Sequence, residues 1–155
     1  MKHYLLIAIF MAAVFIGSTQ TASACSCVVA SPGETLKSQV SKSKTDATAI
    51  FVGKVVSIRY SDEKMNGIPV KMFAKLELER SWKGPQSEFV EVETANICCI
   101  CGYTFEVGKM YIIYSNSPDP QMLSVSSCSR TSEIIAKSSD EKYLGKARKI
   151  KKSSK

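Results

Sequence analysis

Six cysteines carry most of the chemical potential of this sequence: Cys25, Cys27, Cys98, Cys99, Cys101 and Cys128. Cys25-Ser26-Cys27 directly follows Ala22-Ser23-Ala24, the small-x-small pattern that signal peptidase cuts after. Cleavage there would make Cys25 the first residue of the mature protein. It would also set a primary amine on a cysteine able to enter a disulfide. Such an N-terminus is rigid, exposed and able to coordinate a metal. Cys98-Cys99-Ile100-Cys101 is the second cluster. As a metal site it is poorly built, because structural zinc sites use two separated ligand pairs, each with a spacer. Cys98-x-x-Cys101 has redox spacing, but it does not open a helix after a strand. An even number of cysteines in a small exported domain points instead to structural disulfides. Spacing alone does not choose among the pairings.

The other routes to catalysis are thin. His3 is the single histidine, and it would leave with the leader, taking imidazole acid–base chemistry with it. No nucleophile elbow, phosphate-binding glycine loop or dinucleotide fingerprint occurs. A cysteine nucleophile would lack a histidine base. The expectation is a protein that is not an enzyme and needs no cofactor.

Residues 1–24 read as a signal peptide. Lys2 and His3 are its positive end, Leu5–Gly17 its apolar run and Ser18–Ala24 its polar end. The run falls short of the ~20 apolar residues of a membrane span, so the expectation is secretion with no transmembrane segment. A rival reading takes Ala22-Ser23-Ala24-Cys25 as a loose lipobox, with the protein anchored through a lipid on Cys25. The net charge is +7. Lys142, Lys146, Arg148, Lys149, Lys151, Lys152 and Lys155 crowd the C-terminus. They read either as a contact for an anionic surface or as a solvated tail. Export argues against nucleic acid as a partner.

These groups need a scaffold. Ser31-Pro32-Gly33-Glu34 predicts a helix start, with Ser31 as cap and Glu34 completing a capping box, running to about Lys44. Strands follow at Ala47–Tyr60, Val70–Trp82, Glu88–Thr94, Met110–Tyr114 and Met122–Val125. Gly53 predicts a bulge in the first. Val70, Met72, Ala74, Leu76 and Leu78 alternate with polar residues, which predicts a half-buried antiparallel strand. Pro118-Asp119-Pro120 turns the chain between the last two strands. Ser138–Lys152 predicts a helix capped by Ser139 or Asp140, which Gly145 weakens. The expected fold is all-β with flanking helices, a small closed five-stranded antiparallel barrel such as an OB-fold, with a β-sandwich as the alternative. The expected organisation is a leader at 1–24, a barrel domain at 25–135, and a helix with basic tail at 136–155.

A family resemblance enters through the cysteines and their neighbours. Cys25-Ser26-Cys27-Val28, then a proline and a helix, then Phe51-Val52-Gly53-Lys54-Val55, resembles the start of the tissue inhibitors of metalloproteinases. Cys101-Gly102-Tyr103 looks like that family's Cys-Gly-Tyr, and Cys128-Ser129 like its later Cys-Ser. Trp82-Lys83-Gly84 and Phe105-Glu106-Val107-Gly108-Lys109 are similar to segments of its shorter, single-domain relatives. The resemblance spans residue 25 to about 132. It implies a netrin-like (NTR) OB-fold with disulfides Cys25–Cys101 and Cys27–Cys128. Cys98 and Cys99 have no family partners; a mutual Cys98–Cys99 bridge or another pairing within their segment is the expectation, with pairing between chains or free thiols as the alternatives. The cysteine that the larger animal inhibitors carry in the first helix is replaced near Leu36.

The implied function is inhibition of a zinc metalloendopeptidase. In an extended segment Cys25 and Cys27 share one face and Ser26 takes the other. The amine and carbonyl of Cys25 would chelate the target's catalytic zinc, Ser26 would fill the pocket beside it, and Val28 and Val29 would lie along the cleft. The alternatives are a non-inhibitory extracellular binding or adhesion module of the same fold, and a redox or metal protein built on Cys98, Cys99 and Cys101.

Overall fold

The computed structural model describes residues 25–28, 30–97, 100–117, 119 and 122–152. The leader 1–24, Val29, Cys98, Cys99, the two prolines of the 118–120 turn and Lys155 lie outside the described residues.

The chain enters through a turn and then helix α1 (Leu36–Asp46). Pro32-Gly33 makes the turn, with Glu34 N–H donating to Ser31 O at 2.9 Å and Gly33 at φ +84°. Proline followed by a positive-φ glycine is the type II pattern. It moves the helix start downstream of Ser31. Thr35, not Ser31, is the cap, accepting from Ser38 N–H at 3.2 Å.

Among the described residues nine strands follow: β1 (Ala49–Tyr60), β2 (Lys64–Met65), β3 (Ile68–Pro69), β4 (Lys71–Lys83), β5 (Phe89–Ala95), β6 (Met110–Ser115), β7 (Leu123–Ser124), β8 (Ser132–Glu133) and β9 (Arg148–Lys149). The main sheet has seven strands in the order β7-β5-β4-β1-β6-β8, with β9 on β4; β2 and β3 form a separate hairpin. This corrects the expected closed five-stranded antiparallel barrel. The sheet is mixed, because β5 and β7 run parallel, and two-residue strands end it on both sides. Strands this short carry no sequence period, so β2, β3, β8 and β9 had no signal to read.

The core explains the long strands. Met72, Ala74, Leu76 and Leu78 of β4 are buried on one face, where they meet Ala49, Phe51 and Val55 of β1 and Tyr111 and Ile113 of β6. The first half of β1 is buried on both faces. Ile50 and Val52 turn outward and pack with Ile112, Tyr114, Val40 of α1 and Leu144. Unbroken apolar runs in β1 and β6 are the sequence trace of strands covered twice. The β1–β4 register shifts between Val52 and Gly53. A Cβ on Gly53 would come within 3.0 Å of Glu77 O, so the two strands approach there as only glycine permits.

The C-terminal region also departs from expectation. Helix α2 covers only Glu141–Leu144, and Gly145 at φ +83° ends it. The chain then becomes β9, whose Arg148 and Lys149 pair with Ser81 and Arg80 of β4. Among the described residues no helix is long and apolar enough to cross a membrane.

A buried polar cluster joins these outer layers. Asp140, 5% exposed, accepts from Arg130 Nε at 2.9 Å, Arg130 Nη2 at 2.7 Å and Tyr114 Oη at 2.9 Å. Arg130 Nη1 also donates to Gln39 Oε1 of α1 at 3.1 Å. Burial and the adjacent carboxylate push the Tyr114 hydroxyl pKa up, keeping it a donor. Removing one partner of such a cluster strands the others without water. Asp140→Ala should therefore destabilise the fold by about 2–4 kcal/mol, read from urea denaturation, with a smaller loss for Asp140→Asn. An Asp140→Ala loss within ~0.5 kcal/mol of zero, the range of an ordinary surface change, would show that the cluster does not hold the layers together.

Candidate functional site

The cysteine segment sits at the end of the sheet where β4 begins and β5 finishes. Asn96 follows β5, and its N–H donates to Val70 O and its Nδ2 to Pro69 O, both at 2.9 Å. The chain returns from Cys101 pressed against the same strand end, with Tyr103 N–H donating to Thr94 Oγ1 at 2.7 Å. Cys101 takes φ +51°, in the left-handed region costly for a side chain. Gly102 lies so close that a Cβ there would stand 1.9 Å from Ala95 O.

After β7 the chain passes the same spot. Val125 N–H donates to Glu93 O at 3.0 Å, and Ser127 N–H donates to Cys101 O at 2.8 Å. Cys101 and Cys128 are therefore held side by side from two separate loops. Each carries one end of the N-terminal segment. Cys25 is bonded to Cys101 with Cα atoms 5.4 Å apart, and Cys27 to Cys128 with Cα atoms 5.1 Å apart.

Between the two bonds Ser26 is exposed, and Val28 beyond them is 97% exposed. An exposed backbone is thus tethered at alternate residues. A cleft of about 370 Å³ flanks it, lined by Cys25, Cys101, Tyr60, Met72, Asn96 and Tyr103 among others. Tyr103 stacks with Phe105 at 4.9 Å between ring centroids, and its hydroxyl pKa is raised by burial. On the other side, Val28 and Ala30 line a groove of about 260 Å³ with Gln39, Lys42 and Arg130.

Arg130 lies two residues beyond Cys128, so the Asp140 cluster and α1 steady the second anchor. The sequence marks Thr94 only as a strand end and Asp140 only as a helix cap, and it does not single out Arg130 or Asn96. Thr94 shares a strand face with Val90 and Val92, but no sequence pattern reveals the partners: Tyr103 for Thr94, Pro69 for Asn96 and Asp140 for Arg130. Among the described residues no group of three or more His, Cys, Asp or Glu is placed to hold a metal ion; Cys98 and Cys99 lie outside them.

No protein-family model matches the chain, and no curated protein matches it in sequence.

Gly102 should be the most sensitive uncrosslinked position at the site. Gly102→Ala forces the Cys101 loop off β5, at an expected cost of about 1–3 kcal/mol typical of overpacking, and slows correct pairing of Cys25. Urea denaturation with peptide mapping of the disulfides would measure both. Wild-type stability and pairing in this variant would show that the close approach to Ala95 is not a constraint.

Proposed function

We propose that this protein is a secreted metalloproteinase inhibitor resembling the tissue inhibitors of metalloproteinases. The observation that supports this most is the exposed Cys25–Val28 backbone, tethered on either side of Ser26 by two disulfides. The reading includes an OB-type, netrin-like barrel. Its support is the connectivity. β1, β4 and β5 meander, β6 returns to the free edge of β1, and β7 returns to the outer edge of β5. Ser124 N–H of β7 donates to Ser115 Oγ of β6 at 3.1 Å, a side-chain link across the gap of a partly open barrel.

The mechanism begins with cleavage after Ala24, which turns the Cys25 amide nitrogen into a primary amine. That nitrogen and the Cys25 carbonyl oxygen are spaced to close a five-membered chelate with one metal ion. A catalytic zinc in a protease keeps a position open for water. The Cys25 pair would take that position and displace the water. Ser26, projecting between the anchors, would fill the adjoining pocket, and Val28 and Val29 would run along the cleft as a substrate does. The disulfides order the backbone before binding, so little conformational entropy remains to be lost.

The amine binds metal only when neutral. An ordinary α-amine titrates near ~7.7–8.0. Inhibition should therefore strengthen as pH rises towards that range. It should weaken by about tenfold per unit below it, after correction for the protease's own pH profile.

Blocking the amine tests the reading directly. An added N-terminal alanine, or acetylation of Cys25, should weaken inhibition of a susceptible zinc endopeptidase by more than about 100-fold, roughly 3 kcal/mol. The melting temperature should stay unchanged. Undiminished inhibition by the blocked protein would overturn the chelation mechanism. No inhibition by the intact, correctly cleaved protein across a panel of zinc endopeptidases would overturn the inhibitor reading itself.

A further inference from the structure

The C-terminal cations form a fixed surface. We infer that the strip Lys142, Lys146, Arg148, Lys149 and Lys151 is a docking site for a linear polyanion, a polymer bearing sulfate or phosphate groups. The inference does not depend on the inhibitor reading.

Three observations carry it. First, the segment is anchored. Arg148 and Lys149 form β9 on β4, and Ile150 N–H donates to Glu79 O at 3.2 Å. Trp82 Nε1 donates to Gly145 O and Lys44 Nζ to Leu144 O, at 2.8 and 2.9 Å. The backbone that presents the cations is therefore held at both ends of the strip. A polyanion need not order it on binding, which removes a cost that a frayed tail would carry.

Second, the positive charge is uncompensated within the segment. Its acids turn inward. Asp140 is buried on Arg130 and Tyr114, and the Glu141 side chain, 11% exposed, accepts from Arg80. Lys142, Lys146, Arg148, Lys149 and Lys151 are all exposed. The boundary is set by Lys152, which pairs with Glu77 and feels Glu79 and Glu88.

Third, the strip runs from helix α2 into the extended β9, and the large apolar side chains beside it, Trp82, Tyr143 and Ile150, are part-buried. β9 and the residues flanking it follow a strand edge, a shape that matches a polymer chain. The large exposed apolar side chains lie on other elements, at Val28, Tyr60, Met65, Ile68, Phe89, Ile100 and elsewhere. A membrane surface is bound by cations together with inserted apolar or aromatic side chains, whereas Trp82, Tyr143 and Ile150 beside these cations pack against the protein's own core.

The placement leaves the cysteine segment free. β4 touches the cleft beside Cys25 at Met72 and carries β9 at Arg80. At ~3.3 Å per residue those positions are about 25 Å apart. A polymer held at one end of β4 would leave Ser26 and Val28 open at the other.

Retention on heparin and on immobilised inorganic polyphosphate, read as the eluting salt concentration, tests the site. The tail variant Lys146→Gln/Arg148→Gln/Lys149→Gln should lose about tenfold or more in affinity at fixed salt, with a shallower salt dependence. The control Lys37→Gln/Lys64→Gln/Lys75→Gln removes the same charge elsewhere and should stay within about threefold of wild type. Unchanged melting temperatures would show that both variants keep the fold. The polymer retained more tightly identifies sulfate or phosphate as the recognised group. Equal losses in both variants would reduce the effect to net charge and overturn the site. So would no retention at physiological salt, or binding to phosphatidylserine vesicles without binding to either polymer.

Discussion

The two disulfides are the constraint on which the exposed end of the molecule depends. Residues Cys25–Val28 form neither helix nor strand, so no ladder fixes them. Their position is inherited from Cys101 and Cys128, which lie 76 and 101 residues downstream of their partners. Loops of that length carry about 4–5 kcal/mol of closure entropy each in the chain-entropy model, less for the second once the first is shut. A bond transmits position only as well as its anchor is held. The two anchors are bonded to each other through Ser127 N–H and Cys101 O, and both rest on the end of β5. The geometry of Ser26 is thus set by contacts among residues 93–97, 101–103 and 125–128, far from it in sequence.

A second layer keeps that strand end in place. The first half of β1 and most of β6 are buried on both faces, which a single sheet alone cannot achieve. One face packs with β4 and β5. The other needs a cover, and α1 supplies it through Val40 together with Leu144 and Tyr114. The apolar stripe of α1 is thin, so packing alone would hold it weakly. The Arg130–Asp140–Tyr114 cluster compensates by bonding Gln39 of α1 to the residues just after Cys128. Helix, outer core and the segment after Cys128 are therefore joined through one hydrogen-bonded cluster.

How much of this was legible in the sequence follows from the range of each interaction. Met72, Ala74, Leu76 and Leu78 revealed β4 because its faces differ, and period two is written locally. Gly53 marked the register shift for the same reason: a strand interior does not tolerate glycine without cause. Pro32-Gly33 was equally local, but it was read as helix start when its chemistry is that of a turn, and Thr35 took the cap. The tail was read as helix because Glu141–Leu144 is one. Nothing near Arg148 shows that β4 outruns β5 and leaves an edge to pair with. Cysteine spacing could not assign partners, since assignment depends on which loops the fold lays side by side. Arg130 gives no signal and Asp140 signals only a helix cap, because their ion pair is defined by surroundings that neither residue encodes.

The tail shows how one stretch of charge can serve two physical ends. β4 extends past β5, so its last residues would present unpaired backbone groups, the kind of edge that recruits other chains. Leu78 N–H finds Glu88 O, and β9 covers Arg80 and Ser81. β9 then becomes the new edge, and it is only two residues long and cationic. A short, charged edge repels a second copy of itself. The same charges, fixed along a strand and stripped of their internal acids, present an attractive line to a polyanion. Edge protection requires only that β9 be charged. The inward placement of Asp140 and Glu141 follows from their bonds to Arg130, Tyr114 and Arg80, and it leaves the outer face of the segment with cations whose own acids are engaged elsewhere.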